Sequence, residues 1–116
     1  MTITPTTDAP LVVLIDRARW TRRRLKSGDC YCTLGWIAKV CGVSDDALDD
    51  EQDFSSLRKE EIELLPECLM GHLRHDVVCT NDSTAHAETR EKALCDLLSP
   101  HGIELRWTGE YRSPSR

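Results

Sequence analysis

Apolar residues are most regularly spaced in the middle of the chain. Four of them recur at i, i+3, i+4 and i+7, which places them on one face of an α-helix: Leu34, Ile37, Ala38 and Cys41. Gly42 follows at once and suits the residue after a helix end, because glycine adopts the left-handed conformation cheaply. Thr33 or Asp29 could cap the start. Gly35, a poor helix former in the first turn, predicts close approach of another backbone or a bulky ring.

Apolar spacing and capping residues predict further helices on both sides of this central one. The first runs from about residue 10 or 11 to Lys26, with an apolar stripe on its buried side: Leu11, Leu14, Ile15, Ala18 and Leu25. Later helices are expected after a Ser44 cap, over residues 57–64, from Pro66 onward, and over residues 84–98. The expected core includes residues from the central and last helices: Leu34, Ile37, Leu94 and Leu97.

One segment has strand periodicity. Residues 103–107 alternate apolar and polar side chains, as a half-buried strand does. Its expected partner is the extended segment 29–32, where Tyr31 has strong strand preference. The predicted fold class is mainly α, a compact bundle of four to five helices with a small two-stranded β element. Residues 11–107 form the single predicted domain, between a flexible N-terminal arm, residues 1–10, and a flexible tail, residues 108–116.

The apolar run over residues 11–15 is too short for a membrane span or a signal-peptide core, and Asp16 and Arg17 follow it directly. A chain of 116 residues with 40% hydrophobic and 30% charged residues can bury a core. We therefore expect a cytoplasmic protein without a membrane partner. In that compartment the six cysteines are expected to be free thiols, since their spacing shows no paired motif.

Charge is distributed unevenly. The net charge is −5, yet six of the 15 basic residues lie in one short stretch: Arg17, Arg19, Arg22, Arg23, Arg24 and Lys26. On the predicted first helix four of them would form one stripe, which we expect to bind a partner: Arg19, Arg22, Arg23 and Lys26. Phosphates of a nucleic acid could also bind there, although the negative net charge and few aromatics argue against it. A third interpretation is pairing with the acidic residues 45–53 of the chain itself.

Two groups of residues are weak candidates for chemistry. Cys68, His72, His75 and Cys79 would share one helix face, but their spacing matches no standard zinc template. Cys32, just before a helix start, could be a nucleophile. A histidine would serve as its base and Asn81 or Asp82 would orient it: the candidate bases are His72, His75, His86 and His101. The simpler interpretations are buried cysteines and an Asn-Asp pair that caps the last helix. No cofactor is predicted.

Several short motifs occur in a recognisable order. Cys-x-Leu-Gly occupies residues 32–35, Asn-Asp residues 81–82, Arg-Glu-x-Ala-Leu residues 90–94 and His-Gly-Ile residues 101–103. Over residues 20–107 the chain resembles a broad set of small uncharacterised bacterial and phage-encoded proteins. The resemblance implies a fold of this kind and a phage or prophage setting, and it implies no catalytic residues. The arginine cluster and the extra cysteines depart from the pattern.

These observations predict a non-catalytic protein-interaction module. It would be a phage or prophage accessory protein that binds a host protein, a component of a defence system being one example. The alternatives are a small cysteine- or zinc-dependent enzyme and a nucleic-acid-binding accessory protein. The oligomeric state is left open by the sequence.

Overall fold

A computed structural model describes residues 11–21, 25–48, 57–83 and 85–110. The predicted arm, residues 1–10, and the tail residues 111–116 lie outside the described residues. The described elements are mainly helical with a minor β component, as the sequence predicts. In chain order they are β1 (Leu11–Asp16), a 3₁₀ turn (Arg17–Arg19), β2 (Lys26–Ser27), β3 (Cys30–Tyr31), α1 (Thr33–Val40), α2 (Asp45–Leu48), α3 (Lys59–Ile62), a 3₁₀ turn (Glu67–Met70), α4 (His72–Asn81), α5 (Ala87–Leu98), a 3₁₀ turn (Ser99–His101) and β4 (Ile103–Thr108).

The first predicted helix is wrong, because residues 11–16 form a strand. Strand β1 runs parallel to β4, in a register that aligns Leu11 with Ile103 and Asp16 with Thr108. Val13 and Ile15 are fully buried, whereas Leu14 between them is 57% exposed. A short run of Leu, Val and Ile satisfies helix and strand patterns equally, and β-branched residues favour the strand. Arg19 lies in the 3₁₀ turn and Lys26 in β2, so these two basic residues do not share one helix face.

The predicted strand over residues 103–107 is confirmed as β4, but its predicted partner is wrong. Segment 29–32 pairs instead within a local hairpin, in which Lys26 lies opposite Tyr31 and Ser27 opposite Cys30. Only Gly28 and Asp29 separate the two strands, and Gly28 has a φ of 61°. A two-residue loop with glycine at a left-handed position is the commonest geometry for such a hairpin. Local closure therefore occupies the segment that β4 was expected to pair with.

Helix α1 confirms the central prediction. Leu34, Ile37 and Ala38 are buried, and Gly42 just past the helix has a φ of 105°. The N-terminal cap is neither Thr33 nor Asp29. It is Cys32, whose sulfur accepts a hydrogen bond from the Gly35 N–H at 3.4 Å.

Gly35 is in α1 because another backbone passes close to it, as the sequence predicted. A Cβ at this position would overlap the carbonyl oxygen of Leu25 and would lie 3.2 Å from the Cβ of Tyr31. The Leu25 carbonyl in turn accepts a hydrogen bond from the Cys32 N–H at 3.2 Å. Residue 35 thus sets how closely the segment before the hairpin can pack on α1.

The remaining helices lie near their predicted positions, but their ends and caps differ from the predictions. Ser44 caps α2 by accepting from the Ala47 N–H at 3.2 Å. The helix expected from Pro66 is divided at Gly71 into a 3₁₀ turn and α4. Helix α5 begins at Ala87, with His86 at its N-cap, so the predicted capping by Asn81 and Asp82 is wrong.

One apolar core joins the sheet, α1, α4 and α5. In α5 the fully buried residues are Leu94 and Leu98, and Leu97 is only half-buried, which shifts the expected core by one position. Other members of the core include Val13, Ile15, Leu25, Leu34, Ile37, Leu69, Val77, Ile103 and Leu105. None of the helices in the described part of the chain has the length and hydrophobicity needed to cross a membrane.

Candidate functional site

Asn81, the last residue of α4, is the centre of a buried polar cluster. Its side-chain oxygen accepts hydrogen bonds from Trp20 Nε1 at 2.7 Å, the Thr33 N–H at 3.0 Å and Thr33 Oγ1 at 2.7 Å. Its side-chain nitrogen donates to the Thr21 carbonyl at 3.0 Å and to Asp82 Oδ1 at 2.9 Å. With 2% of its surface exposed, Asn81 connects the segment after β1, the start of α1 and the end of α4.

Arg90 of α5 extends this cluster. Its Nη1 donates to the Asn81 carbonyl at 2.7 Å and its Nε donates to the Ala85 carbonyl at 3.2 Å. The guanidinium also lies over the Trp20 ring, with Cζ 4.4 Å from the ring centroid. A cation at the C-terminus of α4 interacts favourably with the negative end of the helix dipole. Arg90 therefore joins α5 to the end of α4 while its charge stays satisfied.

Two further contacts secure the end of β1. Trp20 packs against Trp107 of β4, with ring centroids 4.6 Å apart and planes inclined at 60°. Arg17 donates to the Glu91 carboxylate from Nε at 2.8 Å and from Nη2 at 3.1 Å, and to the Gly109 carbonyl at 3.0 Å. Bidentate pairing of this kind fixes both orientation and distance. Arg17 is thus a structural member of the basic cluster.

The polar cluster ties distant parts of the fold together. Each of its buried side chains has hydrogen-bond partners within the protein, which is the state that buried polar groups require. The sequence contained an overlooked signal for it. Asn81 continues the inward row of Leu73 and Val77 in steps of four, and Arg90 heads the row of Leu94 and Leu98 in the same way. Polar residues at core positions of two helices predict that the two residues form hydrogen bonds with each other, because a buried polar group without a partner is costly.

Cys32, the candidate nucleophile, is enclosed by the protein, as the simpler interpretation of a buried cysteine predicts. It is buried, and its burial raises the pKa of the thiol to about 12, although the N–H of Gly35 opposes the shift. The nearby Asp82 carboxylate raises the pKa further. A thiol with this pKa is almost entirely protonated at neutral pH, and the thiolate is the nucleophile in cysteine chemistry. This environment argues against catalysis by Cys32.

We expect Cys32 to be far slower to alkylate than the exposed Cys79 of α4. Only on the order of one Cys32 thiol in 10⁵ is ionised at pH 7, which follows from its pKa of about 12. Iodoacetamide pulses on folded, reduced protein, followed by peptide mass spectrometry, measure both rates in one sample. Equal rates for the two cysteines would contradict the buried position of Cys32.

The four-residue metal candidate is only partly assembled. Cys68 lies in the 3₁₀ turn before Gly71, whereas His72, His75 and Cys79 lie on α4. Of these side chains, His75 Nε2 and Cys79 Sγ approach each other, at 3.5 Å. Within the described ranges no group of three or more His, Cys, Asp or Glu side chains is arranged to hold a metal ion.

Of the predicted partner-binding residues, the structure describes Arg19 and Lys26. Arg19 ends the 3₁₀ turn with its side chain 57% exposed, 3.9 Å from an Asp16 carboxylate oxygen. Lys26 is half-buried in β2. Arg22, Arg23 and the neighbouring Arg24 lie outside the described residues.

The acidic residue Asp45 is paired within the chain, but mainly with Lys39 and not with the basic cluster. Asp45 is paired with Lys39 of α1 at 2.9 Å and accepts a hydrogen bond from the Tyr31 hydroxyl at 3.0 Å. Lys39 is the main reason that the pKa of Asp45 lies below its usual value, and Lys26 adds a weaker attraction. Of the basic cluster, Lys26 is thus linked to this carboxylate. The predicted acidic residues 49–53 lie outside the described residues.

Comparison with known proteins gives no relative. No family model matches the chain, and neither the curated proteins nor the solved structures include a match.

Proposed function

We propose that this chain is a non-catalytic protein-interaction module that binds an acidic surface of a protein partner. The binding surface is the basic segment, residues 17–26, with Arg19, Arg22, Arg23 and Lys26 as the proposed contacts. The resemblance to small phage-encoded proteins favours a host protein as the partner, in the cytoplasm.

The observation that supports this proposal most is the anchoring of the basic segment on both sides of its three consecutive arginines. On one side Trp20 is bonded to Asn81, and the Thr21 N–H donates to the Tyr31 carbonyl at 3.0 Å. On the other side Leu25 is fully buried. The residues on either side of the arginines are therefore already ordered before binding, and a lower ordering cost increases affinity.

Of the proposed contacts, Arg19 contributes little to the stability of the chain. Adjacent like charges repel one another, and the Arg19–Asp16 pair is long and exposed, so its contribution is small. An acidic partner would relieve the repulsion and accelerate encounter in a salt-dependent way. A partner of opposite charge is thus the best complement to the three consecutive arginines of the sequence.

The alternatives have less support. An enzyme based on Cys32 would need a thiolate where burial favours the thiol. A nucleic-acid-binding protein would gain from general positive charge, whereas this chain has a net charge of −5. Nucleic-acid binding through the arginines is nevertheless an outcome that the experiment below distinguishes.

Charge reversal of Arg19 and Arg23 to glutamate should abolish partner binding and leave the melting temperature nearly unchanged. The test places a photo-cross-linking amino acid at residue 21 in cells that naturally carry the protein and identifies captured proteins by mass spectrometry. Lys26 is excluded because glutamate there would face Asp45. The control is Lys59→Glu with Lys92→Glu, two exposed helical positions where the change in net charge is the same.

The expected result is a discrete captured protein with the wild type and the control but not with the Arg19/Arg23 variant. Capture that persists in that variant would contradict the proposal, as would a large fall in its melting temperature with binding retained. A parallel gel-shift assay with duplex DNA and single-stranded RNA tests whether the basic segment binds nucleic acid instead. A salt-sensitive shift that disappears in the same variant, without a captured protein, would replace the proposal by nucleic-acid binding.

A further inference from the structure

His75 and Cys79 lie one turn apart on the exposed side of α4. Both residues are exposed, and the sequence separation of four places their side chains on the same face of the helix. His75 Nε2 is 3.5 Å from Cys79 Sγ. The pair therefore presents one nitrogen and one sulfur atom side by side to solvent.

This separation matches one edge of a tetrahedral metal site. With Zn–N of about 2.1 Å and Zn–S of about 2.3 Å, two ligands at the tetrahedral angle lie about 3.6 Å apart. The observed 3.5 Å is thus compatible with both atoms binding one metal ion, with the His75 ring turning from the thiol toward the metal.

We propose that His75 and Cys79 form a two-ligand binding site for a thiophilic divalent cation such as Zn²⁺ or Co²⁺. The Cys79 thiol releases its proton to solvent and binds as thiolate, and His75 binds as neutral imidazole through Nε2, with its proton on Nδ1. Metal oxidation state does not change. Water supplies the other coordination positions, which the exposure of both side chains allows.

The neighbouring candidates are not ligands of this site. Cys68 lies before Gly71, in the 3₁₀ turn and not on α4. Among the described residues no third His, Cys, Asp or Glu side chain, His72 included, is placed to hold a metal ion together with this pair. The site proposed here is therefore smaller than the four-residue site considered from the sequence, and it is independent of the partner-binding function.

Co²⁺ titration of the reduced, folded protein tests the site, because thiolate coordination produces a near-ultraviolet charge-transfer band. We expect about one Co²⁺ per chain with this band, and its loss in Cys79→Ser. His75→Gln should weaken Co²⁺ binding at least about tenfold, since even indirect partners of metal ligands contribute that much. Cys68→Ser and His72→Gln are the matched controls, with the same chemical changes at positions outside the site, and both should bind as the wild type does.

A second measurement uses the unaltered protein. Saturating Zn²⁺ should slow the alkylation of Cys79 by iodoacetamide at least about tenfold and leave the rate at Cys68 unchanged, because a metal-bound thiolate is a poorer nucleophile. No band at saturating Co²⁺, a band that persists in Cys79→Ser, or a band that disappears in Cys68→Ser would overturn the proposal. Failure of Zn²⁺ to protect Cys79 would overturn it without any variant.

Discussion

Replacing Gly35 with alanine should destabilise the protein by about 3 kcal/mol or more, at the upper end for overpacking substitutions. The added Cβ would lie 2.9 Å from the carbonyl carbon of Leu25 and would overlap its oxygen. Backbone atoms cannot rotate away as a flexible side chain does. The segment that contains Leu25 must therefore move off α1, and Leu25 itself, fully buried, would lose its packing.

Helix propensity alone would predict the opposite result, a more stable protein with alanine at residue 35. Alanine in a helix interior is favoured over glycine by about 1 kcal/mol. Chemical denaturation of Gly35→Ala and of Gly71→Ala separates the two effects. Gly71 has negative φ and no atom within 4 Å of the added Cβ, so its variant should change stability by less than about 1 kcal/mol. A stabilised Gly35→Ala would show that the Leu25 backbone does not pass close to α1.

Elements whose local signals agree were predictable from the sequence. Helix α1 has helical spacing of apolar residues and a glycine after its end, and both signals place it correctly. Strand β4 has period-two alternation, and Ile103 and Leu105 are the buried residues that the alternation requires. The close approach at Gly35 was also predictable, because a residue that lowers helix stability needs a compensating reason.

Pairings between distant segments were not predictable in this way. The run at residues 11–15 is compatible with a helix or a strand, and the arginines after it are good helix formers. What decides the outcome is β4, which is 92 positions away in the register that joins Leu11 to Ile103. No local pattern contains that information, so propensity was overridden by a tertiary contact.

At the candidate site, too, the sequence revealed unusual residues but not their distant partners. The sequence identified Asn81 and the basic cluster as unusual, because their residue types are conspicuous. It could not show that Asn81 bonds Trp20 and Thr33, which are 61 and 48 positions away. Nor could it show that Arg17 is held by Glu91. Side-chain pairing between residues so far apart in sequence depends on the fold. The predicted fold was wrong at residues 11–16, directly before Arg17 and Trp20.

Replacing Asn81 with alanine should cost roughly 3–5 kcal/mol of stability, because several buried groups lose their partners at once and each such loss costs about 1–3 kcal/mol. The Thr33 N–H loses its acceptor and the Thr21 carbonyl loses its donor. Trp20 Nε1 would retain only the 3.2 Å contact with Thr33 Oγ1. A loss of this size is a large fraction of the stability of a typical small domain.

Thr33→Val provides the matched comparison at the same cluster. Valine keeps the shape of threonine and removes only the hydroxyl, so the Asn81 oxygen retains Trp20 Nε1 and the Thr33 N–H as donors. The variant loses the bond from Thr33 Oγ1 to Asn81 and the longer contact from Trp20 Nε1 to Thr33 Oγ1, and Trp20 Nε1 keeps its shorter bond to Asn81. The expected cost is therefore about 1–2 kcal/mol. Denaturation curves for both variants, with near-ultraviolet circular dichroism to report on Trp20 and Trp107, measure the difference.

The ratio of the two losses tests whether Asn81 is the centre of the cluster. If Asn81 connects three segments, its removal must cost much more than the removal of one bond to it. Equal losses would mean that the Thr33 hydroxyl carries the interaction and that the bond to the Thr21 carbonyl contributes nothing. Because Trp20 and Thr21 immediately precede the arginines, a large loss in Asn81→Ala would also show that this side chain anchors one end of the proposed binding segment.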